Sequence, residues 1–211
     1  MLCKVKTRKL NIMKKVAING PIGSGKSEVL RICSDMDLPT ISSDHIARLL
    51  MELPGAAHDA ILEEFGKDFS ISGSFGKIDR HKLGEFVFSN PEKLRTLEDL
   101  IHPHVWQLAT AFFLECESKE EEICFVEVSA PSESIANQFD ELLMIVSPVN
   151  IRRDRCLNRG MEIEDFDARN QYQELHCRYS ELATKEIQNS SSINDLEISM
   201  TDIIKTICES K

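Results

Sequence analysis

The stretch Val16-Ala17-Ile18-Asn19-Gly20-Pro21-Ile22-Gly23-Ser24-Gly25-Lys26-Ser27 decides the fold. Val16 to Ile18 is a short apolar run of the kind that forms a buried parallel strand. A glycine-rich turn follows, and beyond Lys26 the apolar residues Val29, Leu30 and Cys33 recur at helical spacing. Gly20, Gly25, Lys26 and Ser27 match G-x-x-x-x-G-K-[ST] in the strand–turn–helix setting which that pattern requires. Glycines let successive backbone N–H groups turn inward around phosphate oxygens, and a helix N-terminus adds partial positive charge. The predicted cradle is Gly20, Ile22, Gly23, Ser24, Gly25, Lys26, Ser27 and Glu28. Within it Lys26 reaches the β/γ-phosphates and the Ser27 hydroxyl ligates Mg²⁺. The plainer alternative is a glycine turn that caps a helix, with Lys26 in solvent. The four-position match in the right setting predicts binding of a nucleoside triphosphate.

Outward from this stretch, the 211 residues suffice for one domain with an attached or inserted subdomain. A hydrophobic content of 42% and a charged content of 28% are those of an ordinary globular chain. The net charge of −10 disfavours general nucleic-acid binding, and an anionic substrate needs a local positive pocket. Seven cysteines without a C-x-x-C pair give no zinc spacing and point to reduced thiols in a cytoplasmic setting. No apolar run approaches the roughly 20 residues that span a bilayer. Small-molecule partners, no nucleic acid, no membrane, and a monomer or small homo-oligomer are therefore expected. Residues 1–12 carry Lys4, Lys6, Arg8 and Lys9 with no acid, and read as a disordered extension before a domain over 13–211.

Thr40-Ile41-Ser42 reads as a second strand, Ile123 to Val128 as a third, Leu142 to Val146 as a fourth, and Ile187 lies in a weak fifth. Between the second and third, helical patterns cover His45–Leu50, Ala56–Phe65, 79–88, 91–100 and 103–117, with a loop or small hairpin at 67–78. Residues 44–117 thus form a mainly helical insertion. An arginine-rich helix at 151–159 and a helical stretch at 163–184 lie within a predicted lid over 149–184, and a closing helix covers 195–208. Strands alternating with helices behind the glycine turn predict an α/β fold with a parallel sheet and right-handed crossovers.

Three observations bear on chemistry. Asp44 follows the end of the second strand, at the carboxyl edge where parallel sheets bind ligands. A carboxylate there can accept a hydroxyl proton, or it can merely N-cap the next helix. Arg152, Arg155 and Arg159 stand at i, i+3 and i+7, giving either a positive face for a nucleotide or a solvated, salt-bridged one. No strand ends in an apolar run plus aspartate, so Glu127 is the nearest candidate for that place, and no N-K-x-D occurs to read guanine. His102, before Pro103, reads equally well as structural or as a ligand-binding group.

Taken together, these residues resemble the dephospho-coenzyme A kinase family over about residues 15–190. The opening is Gly20-Pro21-Ile22-Gly23-Ser24-Gly25-Lys26-Ser27, and the family's D-A-D-x-I-A-R recurs as Ser42-Ser43-Asp44-His45-Ile46-Ala47-Arg48. Pro54-Gly55, Phe65-Gly66, Gly76-Lys77-Ile78-Asp79-Arg80, Asn90-Pro91 and Ile101-His102-Pro103 follow in family order, then Pro148, Arg155, Arg159 and the R-x-x-x-Q of Arg169 and Gln173. The resemblance implies a P-loop NTPase-type parallel sheet flanked by helices, an inserted helical substrate-binding subdomain and a helical lid. It implies ATP-dependent phosphorylation of the ribose 3′-hydroxyl of dephospho-CoA, the last step of CoA synthesis, with ATP and Mg²⁺. Asp44 would be the base, Lys26, Arg155 and Arg159 its catalytic companions, and Arg48, Arg80, His102, Glu133 and Gln173 the acceptor-binding residues. The sequence departs from the family at Ser42, at Ser129-Ala130-Pro131-Ser132 before Glu133, at Gly160 and at Glu174-Leu175. The alternatives are another small nucleoside or nucleotide kinase, or a nucleotide- or CoA-binding protein without turnover.

Overall fold

The computed structural model describes residues 12–71, 76–88, 90–129, 133–176 and 179–209. All but Ile12 of the predicted N-terminal extension lies outside them, as do Ala130, Pro131 and Ser132. The apolar run forms β1 (Lys14–Asn19), and the glycine turn leads into α1 (Lys26–Asp35) and β2 (Thr40–Ser42). Then come α2 (Ser43–Glu52), α3 (Ala56–Phe65), a 3-10 turn at Lys67–Phe69, α4 (Arg80–Phe88) and α5 (Pro91–Ser118). β3 (Ile123–Glu127), α6 (Glu133–Ala136), β4 (Glu141–Val146) and α7 (Val149–Leu157) follow, and the described chain ends with α8 (Ile163–His176), α9 (Tyr179–Leu182), β5 (Lys185–Gln188) and α10 (Ile193–Glu209).

The five strands are parallel in the order β2-β3-β1-β4-β5. Alternate residues of β1 serve opposite layers, as the period of two demands. Val16 and Ile18 pack with Phe125, Leu143 and Ile145 under α1 and α10, through Val29, Ile32, Leu196, Met200 and Ile207. Ala17 turns the other way, with Cys124, Val126 and Leu142, onto Phe113 and Cys116 of α5. All five residues of β3 are buried, which explains the apolar run from Ile123 to Val126. Described cysteines are free, and burial pushes the Cys33 and Cys124 thiols up to about 12, so both are chemically quiet.

A third apolar cluster is built from the chain segment that connects β2 to β3. Ile61, Phe69, Ile78, Leu83 and Val87 close on Leu94 and Ile101, which belong to the first half of α5. The predicted hairpin appears at its described ends: Ser70 bridges Ile78, and Ile71 N–H donates to the Lys77 carbonyl at 2.8 Å. Its tip, residues 72–75, is outside the described residues.

Two expectations need correction. The helices at 91–100 and 103–117 are one 28-residue helix, with Pro103 in its interior. Proline there removes one intrahelical donor, a cost that packing of the helix at both ends outweighs, since its first half joins the third cluster and its second half the sheet. The arginine-rich helix spans 149–157, so Arg159 lies in the turn beyond it. Gly160 explains the stop: its φ of +84° lets Met161 N–H return to the Cys156 carbonyl at 3.2 Å. The predicted helical stretch 163–184 is described as α8 and the short α9, with 177–178 outside the described residues.

Because tertiary packing, not local preference, carries α5 through Pro103, Pro103→Ala should stabilise the protein by about 1–3 kcal/mol. Urea unfolding monitored by circular dichroism checks this; a loss of stability would show that the proline is needed where it stands.

Candidate active site

The glycine turn is shaped by close approach. A Cβ on Gly20 would lie 2.5 Å from the Ile145 carbonyl oxygen, one on Gly23 2.4 Å from that of Arg152, and one on Gly25 2.1 Å from Asn189 Nδ2. All three glycines have positive φ, at +140°, +75° and +102°. Ser24 N–H donates back to the Pro21 carbonyl at 3.1 Å. Among the described residues, the amides of Gly23, Gly25, Lys26 and Ser27 make no hydrogen bond, so they stand as a row of donors at the start of α1. Lys26 Nζ folds back over the turn, 2.9 Å from the Gly20 carbonyl and 3.4 Å from that of Pro21. The predicted residues are thus brought together around the turn, with Ser27 exposed at its rim and Glu28 turned aside to Arg31.

Arg152 and Arg155 have a different use from the predicted nucleotide-facing or solvated surface. Arg152 is 6% exposed; its Nε donates to the Ser147 carbonyl at 3.1 Å and its Nη1 to the Ile22 carbonyl at 3.2 Å. Arg155 Nη1 donates to the Ser24 carbonyl at 3.2 Å and Ser147 Oγ at 3.0 Å, and its Nη2 to the Asn189 carbonyl at 3.0 Å. Asn189 Nδ2 reaches the same Ser24 carbonyl at 2.7 Å. These arginines brace the outer side of the glycine turn against the ends of β4 and β5. Nothing in the local sequence marked Ser147 or Asn189 for this task, because the Ser24 carbonyl that both reach is more than 120 residues away.

At the carboxyl edge of the sheet, register places Ser42 opposite Glu127, and Glu127 opposite Ile18. Ser42 Oγ donates to Glu127 Oε2 at 2.7 Å and accepts from His45 N–H at 3.2 Å. Ser42 is thus the N-cap of α2, and Asp44 lies in the helix's first turn, so the capping alternative for Asp44 does not hold. Asp44 is exposed and accepts a hydrogen bond from Ser129 Oγ. Glu127 is 3% exposed; burial pushes its carboxyl above the ordinary range, with the nearby Asp44 charge adding to that and Ser42 and Lys26 opposing it.

Lys26 and Asp44 open onto a cavity of about 440 Å³ between α5 and α8. Ile101, Val105 and Trp106 make its apolar wall, with His102 on α5, Phe88 at the end of α4, and Arg169, Tyr172 and Gln173 on α8. Of the predicted acceptor residues, His102 and Gln173 line this cavity. Among the described residues the lining does not include Arg48, Arg80 or Glu133. Arg48 meets His45, Arg80 pairs with Glu52 at 3.4 Å, and Glu133 is exposed on α6. Trp106 and Tyr172 escaped sequence reading because lone aromatics on helices look like ordinary core.

No group of three or more His, Cys, Asp or Glu able to cage a metal occurs among the described residues. The donors present, the exposed Ser27 hydroxyl at the start of α1 and the exposed Asp44 carboxylate that lines the cavity with Lys26, suit a cation that takes most of its ligands from phosphates and water, as Mg²⁺ does. No described helix is long and apolar enough to cross a membrane.

Comparison with known proteins agrees with this geometry. Residues 14–195 match a family model described as dephospho-CoA kinase. The dephospho-CoA kinase of Thermobifida fusca is 32% identical over 193 residues, covering 90% of this chain and 94% of the relative. That of Aquifex aeolicus is 29% identical over 192 residues, covering 87% and 92%. A Thermus thermophilus crystal structure superposes with a TM-score of 0.70 at 27% identity, covering 92% of this chain and 98% of that one. A shikimate kinase from Acinetobacter baumannii, at TM-score 0.53 and 15% identity over 96% and 98% of the two chains, shares the fold.

The raised carboxyl of Glu127 yields a signed expectation. Between the ordinary value of 4.5 and the higher folded value, the folded state binds more protons than the unfolded one, so stability falls as pH rises. Glu127→Gln removes that loss and keeps an oxygen to accept from Ser42. The variant should melt a few degrees above wild type at pH 7–8, with the gap closing towards pH 4. Melting curves across this range test it; an equal gap at all pH values would contradict it.

Proposed function

The chain belongs to the dephospho-CoA kinase family, and we propose how its residues carry the phosphoryl transfer. Its reaction moves the γ-phosphoryl group of ATP to the ribose 3′-hydroxyl of dephospho-CoA, giving CoA and ADP at the end of CoA synthesis. The observation that supports the residue assignments is that one cavity joins the phosphate cradle, through Lys26, to Asp44 and an apolar cleft.

The row of amides at the start of α1 binds the β-phosphate, and Lys26 leaves the Gly20 and Pro21 carbonyls to follow charge onto the leaving oxygens. Asp44 accepts the proton of the 3′-hydroxyl as the new P–O bond forms; Ser129 Oγ steadies one of its carboxylate oxygens. The apolar wall of α5 takes the pantetheine arm, whereas His102 and Gln173 offer polar contacts near its mouth. Ser27 would hold the Mg²⁺, which would neutralise phosphate charge when bound. Arg155 acts as a positioning residue for the glycine turn, and Arg159, just beyond α7, is the arginine assigned to the transferring group. Residues 44–117 serve as the acceptor-binding insertion and 149–184 as the lid, within a domain over 13–211. Arg48, Arg80 and Glu133 are assigned to the acceptor's outer contacts. The free thiols support a reducing, cytoplasmic setting.

With ATP and Mg²⁺, turnover should occur with dephospho-CoA and not with nucleosides or shikimate; binding of dephospho-CoA without product would overturn the activity. Asp44→Asn should lower kcat by roughly 10²–10⁴, the worth of a positioned base, with little change in ATP affinity. Lys26→Ala should cripple turnover at saturating ATP. A kcat for Asp44→Asn within about threefold of wild type would remove Asp44 from the base role.

A further inference from the structure

The R-x-x-x-Q pair on α8 touches both substrate sites. Arg169 and Gln173 are four residues apart and so share one helix face. Gln173 Oε1 accepts from the Ile22 N–H at 2.7 Å, at the apex of the glycine turn. One turn earlier, the Arg169 guanidinium lies 4.7 Å from the centre of the Phe88 ring, at the end of α4, with its Nε donating to Asp165 at 2.8 Å. Ile22 is gripped on its other side as well: Arg152 Nη1 donates to the Ile22 carbonyl and, at 2.7 Å, to Asn170 Oδ1 of α8. A single residue of the phosphate loop is thus tied to α8 through both halves of its backbone. Phe88, Arg169, Tyr172, Gln173 and Ile22 all line the acceptor cavity.

We propose that α8 is a strut that couples the two sites, with Gln173 the positioning residue through which acceptor occupancy tightens nucleotide binding. The proposal rests on the assignment of the cavity to dephospho-CoA. The sign follows from which amide is used. Gln173 takes the Ile22 N–H, whereas the amides of Gly23, Gly25, Lys26 and Ser27 are left to phosphate among the described residues. The glutamine therefore holds the loop apex without occupying the nest. An acceptor filling the cavity presses on Phe88, Tyr172 and Gln173 from the α5 side and keeps α8 seated. The loop is then ordered before the nucleotide arrives, so ordering it no longer subtracts from nucleotide affinity. Reciprocity requires that nucleotide tighten acceptor binding by the same factor.

Calorimetric titration of the full chain with a non-hydrolysable ATP analogue and Mg²⁺, with and without saturating dephospho-CoA, reads the coupling as a ratio of two dissociation constants. A loss of affinity common to both titrations cancels in that ratio, so a merely structural defect leaves it unchanged. In wild type, dephospho-CoA should tighten analogue binding about tenfold, within the usual range for coupled sites. In Gln173→Ala and in Phe88→Leu the ratio should fall to within about twofold of one. Gln173→Glu should keep the tightening, because its carboxylate oxygen still accepts from Ile22 N–H. A wild-type ratio near one, or a tenfold ratio persisting in Gln173→Ala, would overturn the coupling while leaving the acceptor assignment intact. Loss of the ratio in Gln173→Glu would overturn the role given to this hydrogen bond. Failure of wild type to bind dephospho-CoA would overturn the acceptor assignment and the coupling with it.

Discussion

The close approach of the glycine turn to the ends of β4, α7 and β5 is the constraint on which the molecule depends. Three side-chain-free positions let backbone meet the carbonyls of Ile145 and Arg152 and the amide of Asn189. That contact joins residues near the N-terminus to residues more than 120 positions later, so the turn takes its shape only once the sheet has closed. Arg152 and Arg155 then satisfy the carbonyls that this packing would leave bare. The row of amides at the start of α1 is held open by the same arrangement. A phosphate site made this way has its donors aimed before the nucleotide arrives, which is what charge stabilisation of a transferring phosphoryl group requires.

Facing this loop, the cavity is built on one long lever. α5 contributes Leu94 and Ile101 to the inserted cluster and Phe113 and Cys116 to the sheet. At the usual rise it is about 42 Å long, enough to carry both cores and to present His102 and Trp106 between them. A break at Pro103 would have let the inserted cluster move apart from the sheet. Its continuity keeps the apolar wall of the cavity in register with Lys26 and Asp44, whereas α8 closes the opposite side through Phe88 and Ile22.

How much of this could be read beforehand depended on the range of the interaction. β1, the glycine turn and α1 are local, and their pattern carried the fold class. The run Ile123 to Val126 announced a strand buried on both faces. α10 showed its apolar stripe at Leu196, Ile204 and Ile207. Pro103 misled because a proline's local cost is visible in sequence and its tertiary compensation is not. The arginines misled in a related way. Helical spacing put Arg152, Arg155 and Arg159 on one face, yet Gly160 closes the helix early, and the partners of Arg152 and Arg155 are backbone carbonyls that no side-chain pattern reveals. Gln173 carried a family signature without any hint that it grips Ile22.

The departure at Ser42 gains a physical reading from Glu127. The hydroxyl of Ser42 performs two opposite tasks, accepting from His45 N–H to cap α2 and donating to the buried Glu127. An aspartate at 42 caps a helix as well, but an ionised one has no hydrogen to donate. It would face Glu127 across adjacent strands, at 3% exposure, as a second carboxylate with like charge. With a glutamate at the end of β3, position 42 is therefore better served by a donor. Ser42 and Glu127 thus form one hydrogen-bonded unit across β2 and β3. Asp44 does not depend on that exchange: it is held from Ser129 on the cavity side. The cap, the buried acid and the exposed acid are thereby separated onto three residues, leaving Asp44 accessible at the carboxyl edge of the sheet.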